Sequence, residues 1–160
     1  RYCYIISDVS QHYFIFANRA GGYELRDDKT FKGTIAPKDI SLIAGEANNA
    51  PHCIFEGFMD FLSLLTMKGK EIAPCLVLNS VSNLSRAIAY LHEKGIDSVQ
   101  AFFDNDQAGR QALHSLQSAG INVEDMSRHY SRYKDLNEYH VAQRTGQKQV
   151  IPPRKRGLRR

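Results

Sequence analysis

The hydrophobic residues of the chain change rhythm about a third of the way along. In the first part, β-prone residues over 13–16 and 23–31 flank a Gly-Gly pair at 21–22, which predicts a β-hairpin. The apolar residues of 40–43 predict one more short strand before glycine, asparagine and proline break the pattern. We therefore expect a small β-rich segment over residues 1–49.

The remaining apolar segments alternate between strand and helix. Three short apolar runs predict strands, 53–55, 75–78 and 99–103, and the first of them suits a strand buried on both faces. Each run is followed by apolar residues at helical spacing, most clearly Leu84, Ala87, Ile88 and Leu91, and a fourth strand begins near Ile121. Such alternation predicts an α/β fold, with a mainly parallel sheet flanked by helices.

Composition indicates one compact domain and a basic tail. The chain has 160 residues, 42% hydrophobic and 24% charged, which excludes a wholly disordered protein. Its formal net charge is +4, but residues 154–160 carry five positive charges and no acid, which leaves −1 (+4 less five) for the rest. We therefore expect residues 50–146 to form the main domain and residues 147–160 to form a disordered basic tail.

The number of cysteines and the length of the apolar runs indicate where in the cell the protein is found. Cys3, Cys53 and Cys75 are too few and too widely spaced for a disulfide framework or a Cys-x-x-Cys zinc site. No apolar run approaches the roughly 18 residues of a membrane span. The sequence thus predicts a cytoplasmic protein without a membrane partner. Because Arg1 stands where a starting methionine would be, we expect the chain to be part of a longer protein.

Three carboxylates follow predicted strands. Glu56 ends the first strand in IFEGFMD, while Asp104 and Asp106 end the third in AFFDNDQAGR. Because the carboxyl ends of parallel strands meet at one edge of a sheet, we expect these acids to converge. Clustered carboxylates repel one another unless a cation neutralises them, and an all-oxygen set favours Mg²⁺ or Mn²⁺. The predicted chemistry is therefore nucleotidyl transfer or phosphodiester cleavage.

Each acid also has a structural interpretation. A Glu-Gly pair after a strand is commonly a turn, Asp106 alone is more often a helix N-cap, and Asp60 could simply serve the helix dipole. The order of the motifs favours the functional interpretation. A strand that ends in Glu-Gly is followed by one that ends in Asp-x-Asp-x-Ala-Gly-Arg, within an alternating βα pattern.

The segments EGFMD and FDNDQAGRQAL resemble the two signature motifs of the Toprim domain, the catalytic module of bacterial primases, topoisomerases and some nucleases. Residues 50–146 are most similar to bacterial DNA primases, and the β-rich segment looks more like primase-like proteins of mobile elements. The resemblance implies a Rossmann-like Toprim fold. It also implies that Glu56 is a general acid/base or metal-linked carboxylate, and that Asp104 and Asp106 hold Mg²⁺.

Further positions match the family's motifs. Four of them lie within or beside the two signature segments: Gly57, Asp60, Gly109 and Arg110. Downstream, KDLNEY is similar to the Lys-Asp-Pro-Asp segment that closes the primase metal site, which places Lys134 and Asp135 on matching positions. There the sequence departs from the family, because Leu136 replaces the proline and Asn137 replaces the second carboxylate.

Candidate phosphate contacts extend beyond the acids. Asn79 and Ser80 occupy the place of the family's glycine-threonine turn, and Lys134 and Arg110 are expected to meet phosphates. Arg132 lies in a segment that mixes basic residues with tyrosines, which could pair phosphates and stack bases or equally form a solvated helix with core tyrosines. Three basic residues of the front segment are expected to line the same cleft: Arg19, Lys32 and Lys38.

The resemblance implies RNA primer synthesis on single-stranded DNA from nucleoside triphosphates. Two alternatives stay open: a Toprim nuclease, which delivers water with the same ions, and a non-catalytic scaffold for DNA or proteins. A phosphoacceptor signalling domain ranks last, because it needs paired acids after its first strand. Primases of this kind carry an upstream zinc-binding domain and work with a helicase. We expect both as partners, and the chain alone could be inactive without them.

Overall fold

The structure is a computed structural model, and it describes residues 3–8, 11–46, 50–69 and 72–146. The tail predicted over residues 147–160 lies outside these ranges.

The first part of the chain forms an antiparallel sheet. Its four strands follow one another in sequence and in space: β1 (Cys3–Asp8), β2 (Gln11–Ala17), β3 (Tyr23–Asp27) and β4 (Lys32–Ile35). The β2–β3 pair is the predicted hairpin. Its turn needs both glycines, because Gly21 has a φ of +87° and a Cβ on Gly22 would lie 2.0 Å from the Pro37 carbonyl oxygen. Strands β1–β4 therefore form a sheet of their own.

A second sheet carries the predicted parallel strands. It has the order β5-β7-β6-β8-β9, and its strands are β5 (Ser41–Ile43), β6 (His52–Phe55), β7 (Cys75–Val77), β8 (Ser98–Phe102) and β9 (Asn122–Asp125). Four strands run parallel, and β5 pairs antiparallel with β7 at one edge. The mainly parallel α/β sheet is confirmed. The division into domains at residue 50 stays a prediction, and β5 joins this sheet from before that position.

Helices cover both faces of the second sheet, as predicted. They are α1 (Phe58–Lys68), α2 (Leu84–Glu93), α3 (Gln107–Ser118) and α4 (Leu136–Thr145). Because side chains alternate along a strand, Cys53 and Phe55 belong to the core under α1 and α4, while Ile54 belongs to the core under α2 and α3. None of these helices, within the ranges described, combines the length and apolar character that crossing a bilayer requires.

Phenylalanine rings join the two sheets. Phe16 of β2 stacks on Phe58 of α1 with 5.1 Å between ring centroids and 5° between planes, and its centroid lies 5.7 Å from that of Phe61. The guanidinium of Arg26 lies over the Phe58 ring, 5.4 Å from the ring centroid. These contacts fix the antiparallel sheet beside the start of α1, which is where β6 ends.

Candidate active site

The register of the second sheet brings two predicted acids together. Phe55 is the partner of Phe102 across the β6–β8 pair, so the two strands end side by side. Glu56 follows β6, and its Oε2 accepts a hydrogen bond from the backbone N–H of Asp104 at 3.4 Å. Glu56 and Asp104 therefore occupy adjacent strand ends although 48 positions separate them in sequence.

The turn between β8 and α3 is tightly built. The Asp106 side chain accepts a hydrogen bond from the backbone N–H of Gly109 at 2.9 Å and so caps α3. A Cβ on Gly109 would lie 2.1 Å from the carbonyl oxygen of Asp104, so only glycine lets the helix approach this closely. Asp106 is thus the helix N-cap of α3, and the close approach of Gly109 sets α3 against the Asp104 backbone.

A lysine lies against the carboxylates. The Nζ of Lys134 is 3.2 Å from Asp104 Oδ2 and 3.8 Å from Asp135 Oδ2. Burial raises the pKa of Asp104, and the Lys134 ammonium partly opposes this. Burial, followed by the charge of Asp104, also raises the pKa of Glu56. The hydrogen bond to Asp104 raises the pKa of Lys134, so the ammonium supplies positive charge within the acidic cluster.

Asn105 anchors the loop that delivers this lysine. Its side-chain amide donates to the carbonyl oxygens of Tyr130 (3.0 Å) and Tyr133 (2.9 Å). Its backbone N–H donates to the carbonyl oxygen of Lys134 at 2.7 Å. The sequence interpretation missed Asn105. Its place between the two acids of the Asp-Asn-Asp motif was the signal available.

The start of α4 is capped beside the same acids. The Asp135 side chain accepts from the backbone N–H of Glu138 at 2.7 Å, and the Glu138 carboxylate accepts from the backbone N–H of Lys134. Tyr130 is buried, and its hydroxyl donates to the Phe103 carbonyl oxygen at 3.0 Å. For Tyr130, the structure therefore favours the core-tyrosine interpretation over base stacking.

Asp60 is a buried acid of α1 that contacts α4. It is 6% exposed, and its Oδ1 accepts the backbone N–H of Asn137 at 3.0 Å. The Asn137 side-chain oxygen in turn accepts the Ser63 hydroxyl at 3.0 Å. Burial, with a smaller effect of repulsion from Asp135, raises the pKa of Asp60 to about 8. The asparagine that replaces the family's second carboxylate thus ties two helices together.

The raised pKa of Asp60 predicts a pH-dependent stability. Because the folded state holds this proton up to about pH 8 and the unfolded chain releases it near pH 4, the free energy of unfolding should fall as pH rises through this window. Asp60→Asn removes the titration and keeps an acceptor for Asn137. In urea unfolding with EDTA, we expect the variant to gain about 3–4 kcal/mol relative to wild type between pH 5 and pH 8. Asp28→Asn, at an exposed acid, is the control, and parallel pH curves for Asp60→Asn and wild type would contradict this assignment.

Four of the acids line one wall of a cleft of about 600 Å³, and Asp106 is not among the described residues that line it. This wall includes residues from the ends of β6 and β8 and from the start of α4: Glu56, Asp60, Asp104, Lys134 and Asp135. The turn between β3 and β4 supplies the opposite wall, with Arg26, Asp27, Asp28, Lys29, Thr30, Phe31 and Lys32. The antiparallel sheet therefore completes the site. The sequence interpretation included Lys32 and missed the rest of this turn.

Asn79 and Ser80 also line the cleft. Asn79 has a φ of +64°, and its amide nitrogen donates to the Asp39 carbonyl oxygen and the Ser41 hydroxyl, each at 2.9 Å. Its side-chain oxygen is buried and has no hydrogen-bond partner among the described residues. Ser80 caps the short 3-10 helix Val81–Asn83.

Other predicted contacts lie elsewhere. Arg110 and Arg132 are exposed and are not among the described residues that line the cleft. Arg19 pairs with Asp39, with 3.0 Å between Nε and Oδ2, on a different part of the surface. Of the three basic residues expected from the front segment, only Lys32 reaches the cleft. The expectation for Arg19 and Lys38 was wrong, because the chain turns towards β5 at that point.

The carboxylate oxygens of this site are the type of ligand that a divalent cation prefers. In the part of the chain that the structure describes, no three Asp, Glu, His or Cys side chains stand in metal-binding geometry, and Lys134 lies against Asp104. The donors are all carboxylate oxygens, and burial together with mutual repulsion raises the pKa of Glu56, Asp60 and Asp104. A bound cation would relieve this repulsion. The metal ligands Glu56, Asp104, Asp106 and Asp135 stay predictions.

A parallel sheet with acids after β6 and β8 defines a Toprim-type domain. A family model described as Toprim-like matches residues 53–140, which is more than half of the chain. The chain belongs to this family. No curated protein sequence matches the chain significantly.

Two solved structures are similar in fold. The primase fragment of the bacteriophage T7 primase-helicase protein has a TM-score of 0.64 and 19% identity, with 90% of this chain and 63% of that chain covered. A chain in the structure of the T7 lagging-strand DNA polymerase interacting with primase domains has a TM-score of 0.63 and 18% identity, with 89% and 77% covered. The chain thus spans less than two thirds of the primase fragment.

Proposed function

We propose that the chain is the Toprim catalytic part of a primase-like protein that joins nucleotides into RNA primers on single-stranded DNA. One observation carries the proposal: Glu56 and Asp104 meet on adjacent strand ends, beside Lys134, in a cleft whose other wall is the antiparallel sheet. The similarity to the primase fragment covers 90% of the chain and so extends beyond the Toprim-like residues 53–140. This extent favours a primase over a nuclease built on the Toprim domain alone.

Mg²⁺ or Mn²⁺ is the proposed cofactor, and Glu56, Asp104 and Asp106 would hold it with Asp135 nearby. When bound, such an ion polarises phosphoryl oxygens and activates a hydroxyl nucleophile. Asp106 uses one carboxylate oxygen to cap α3, which leaves the other oxygen for a ligand.

The side chains of the cleft have distinct proposed roles. Glu56, whose pKa burial raises, is suited to hold or accept the proton of the attacking hydroxyl. The Lys134 ammonium, which Asn105 positions through the loop, would bind phosphate oxygens. Asn79 and Ser80 would contact the substrate from the cleft wall, and Arg110 and Arg132 would meet the strand outside it.

The proposed partners are single-stranded DNA and nucleoside triphosphates. A helicase and an upstream zinc-binding domain are further proposed partners, and the similarity to a fragment of a primase-helicase protein supports the first. The zinc-binding domain rests on the sequence resemblance.

Incorporation of labelled ribonucleotides on single-stranded DNA tests the function. We expect RNA products that require template and Mg²⁺ or Mn²⁺. Shortened DNA in the same gel would favour the nuclease alternative. Strand binding without any product, from this chain and from the full-length protein alike, would favour a scaffold. Asp97→Asn serves as the matched control, because Asp97 is an exposed acid just before β8, at the opposite end of the strand that leads to Asp104.

A further inference from the structure

The turn between β3 and β4 presents an aromatic ring to the cleft. We define the β3–β4 tip as residues 27–32. Within it, Phe31 is 48% exposed and lines the cleft, with the exposed lysines Lys29 and Lys32 on either side in sequence. A half-exposed aromatic ring between two cations, opposite a wall of carboxylates, is not explained by packing of the core.

Hydrogen bonds hold the backbone of the tip in place. The Asp27 Oδ1 accepts from the backbone N–H groups of Lys29 at 2.9 Å and of Phe31 at 2.7 Å. Such an Asx-type turn fixes the chain on both sides of residue 30. Asp27 uses one carboxylate oxygen within the turn, and the exposed Asp28 is the other acid of the tip beside Lys29 and Lys32.

The ring itself is also held. Phe31 meets Tyr13 edge to face, with 5.9 Å between ring centroids and 85° between planes. It lies across Gly33 of β4, where a Cβ would come within 2.8 Å of Phe31 Cζ. Two neighbours therefore set the orientation of a ring that stays half open to solvent, and little side-chain entropy remains to be lost when a ligand stacks on it.

We propose that Phe31 is a stacking platform for an unpaired base of the nucleic-acid strand, and that Lys29 and Lys32 neutralise the adjacent phosphates. An aromatic face stacks on any base, and cations beside it follow the backbone, so the site is sequence-tolerant. The identity of the strand as template rests on the proposed function. A strand is favoured over a free nucleotide, because the exposed Lys29 and Lys32 stand on either side of the ring in sequence, as phosphates stand on either side of a base along a strand.

Binding of a short fluorescent oligo-dT, measured by anisotropy with EDTA present, tests the stacking. We expect Phe31→Ala to weaken binding about tenfold and Phe31→Tyr to retain it. On the same strand with abasic sites in place of bases, Phe31→Ala should bind like wild type. Ile35→Ala is the control, because Ile35 of β4 is 52% exposed and does not line the cleft. Lys29→Ala and Lys32→Ala should weaken binding to both strands and each lower the salt slope by about 0.7.

Phe31→Trp provides a second readout. The chain contains no tryptophan, so the introduced indole reports on this site alone. We expect its fluorescence to be quenched by oligo-dT and unchanged by the abasic strand.

Several results would overturn the proposal: no binding of oligo-dT by the wild-type chain, equal affinity of wild type and Phe31→Ala, or the same loss on the abasic strand. If Phe31→Ala weakened binding of a labelled nucleoside triphosphate and left oligo-dT binding unchanged, the ring would bind the nucleotide, and the proposal that it binds the strand would be overturned. Because EDTA prevents turnover, the binding result is independent of whether the chain makes primers. If wild type makes primers and Phe31→Ala does not change the affinity for oligo-dT, the stacking proposal fails and the proposed function stands.

Discussion

Asp104→Asn is expected to lower nucleotide incorporation about 10²-fold or more without unfolding the protein. The backbone N–H of residue 104 would still donate to Glu56 Oε2, and the amide would still accept from Lys134, so the geometry of the two strand ends should persist. What the change removes is the negative charge that a divalent cation needs. Because burial already raises the pKa of Asp104, losing that charge should leave the thermal unfolding midpoint near or above that of wild type.

Two companion variants make the result specific. Glu56→Gln should give a similar loss of turnover, because it removes the second carboxylate of the pair. Asp97→Asn should leave incorporation unchanged. If Asp104→Asn and Glu56→Gln both turned over at a rate near wild type, catalysis would not pass through this pair, and the catalytic residues would have to lie elsewhere.

Periodicity was sufficient to predict the parallel part of the fold. Each of its buried strands is a short apolar run, and the helices between them repeat apolar residues at 3.6-residue spacing. Glycines with positive φ follow the first three helices: Gly69, Gly95 and Gly120. Local sequence was decisive here because each element buries its own apolar face in one of two cores.

Other elements could not be found in this way. Strand β4 has the sequence KGTI with only one apolar side chain, so it lacks the alternation of a half-buried strand. Strand β5 was predicted from the apolar residues of 40–43, but its pairing with β7 depends on a contact between residues far apart in sequence. Edge strands are held mainly by backbone hydrogen bonds, which any sequence can make.

Some contacts of the candidate site could likewise be predicted from the sequence, and others could not. Topology predicts that Glu56 and Asp104 follow neighbouring strands, and their hydrogen bond follows from that register. The contact of Asp60 with α4 could not be predicted. Asp60 and its partner Asn137 are 77 positions apart and meet only because two helices pack together. The role of Phe31 was equally inaccessible, since it depends on how the antiparallel sheet lies on Phe58.

Gly109→Ala is expected to destabilise the protein by about 3 kcal/mol. Helix propensity alone predicts the opposite sign, because alanine in a helix is favoured over glycine by about 1 kcal/mol. The packing decides against propensity: the added Cβ would lie 2.1 Å from the carbonyl oxygen of Asp104, 3.1 Å from its carbonyl carbon and 3.2 Å from its nitrogen. All three are backbone atoms, so no side chain can turn away, and α3 must move off the strand end.

Gly95→Ala is the matched control in urea unfolding. Gly95 has a φ of +64° with no atom within 4 Å of its added Cβ, so alanine there should cost only the backbone strain of about 1 kcal/mol. The excess at Gly109 then measures the close approach of α3 to Asp104. Because the same displacement moves the Asp104 carboxylate, Gly109→Ala should also lose nucleotide incorporation at temperatures where it stays folded. A variant as stable as wild type would mean that α3 does not lie this close to Asp104.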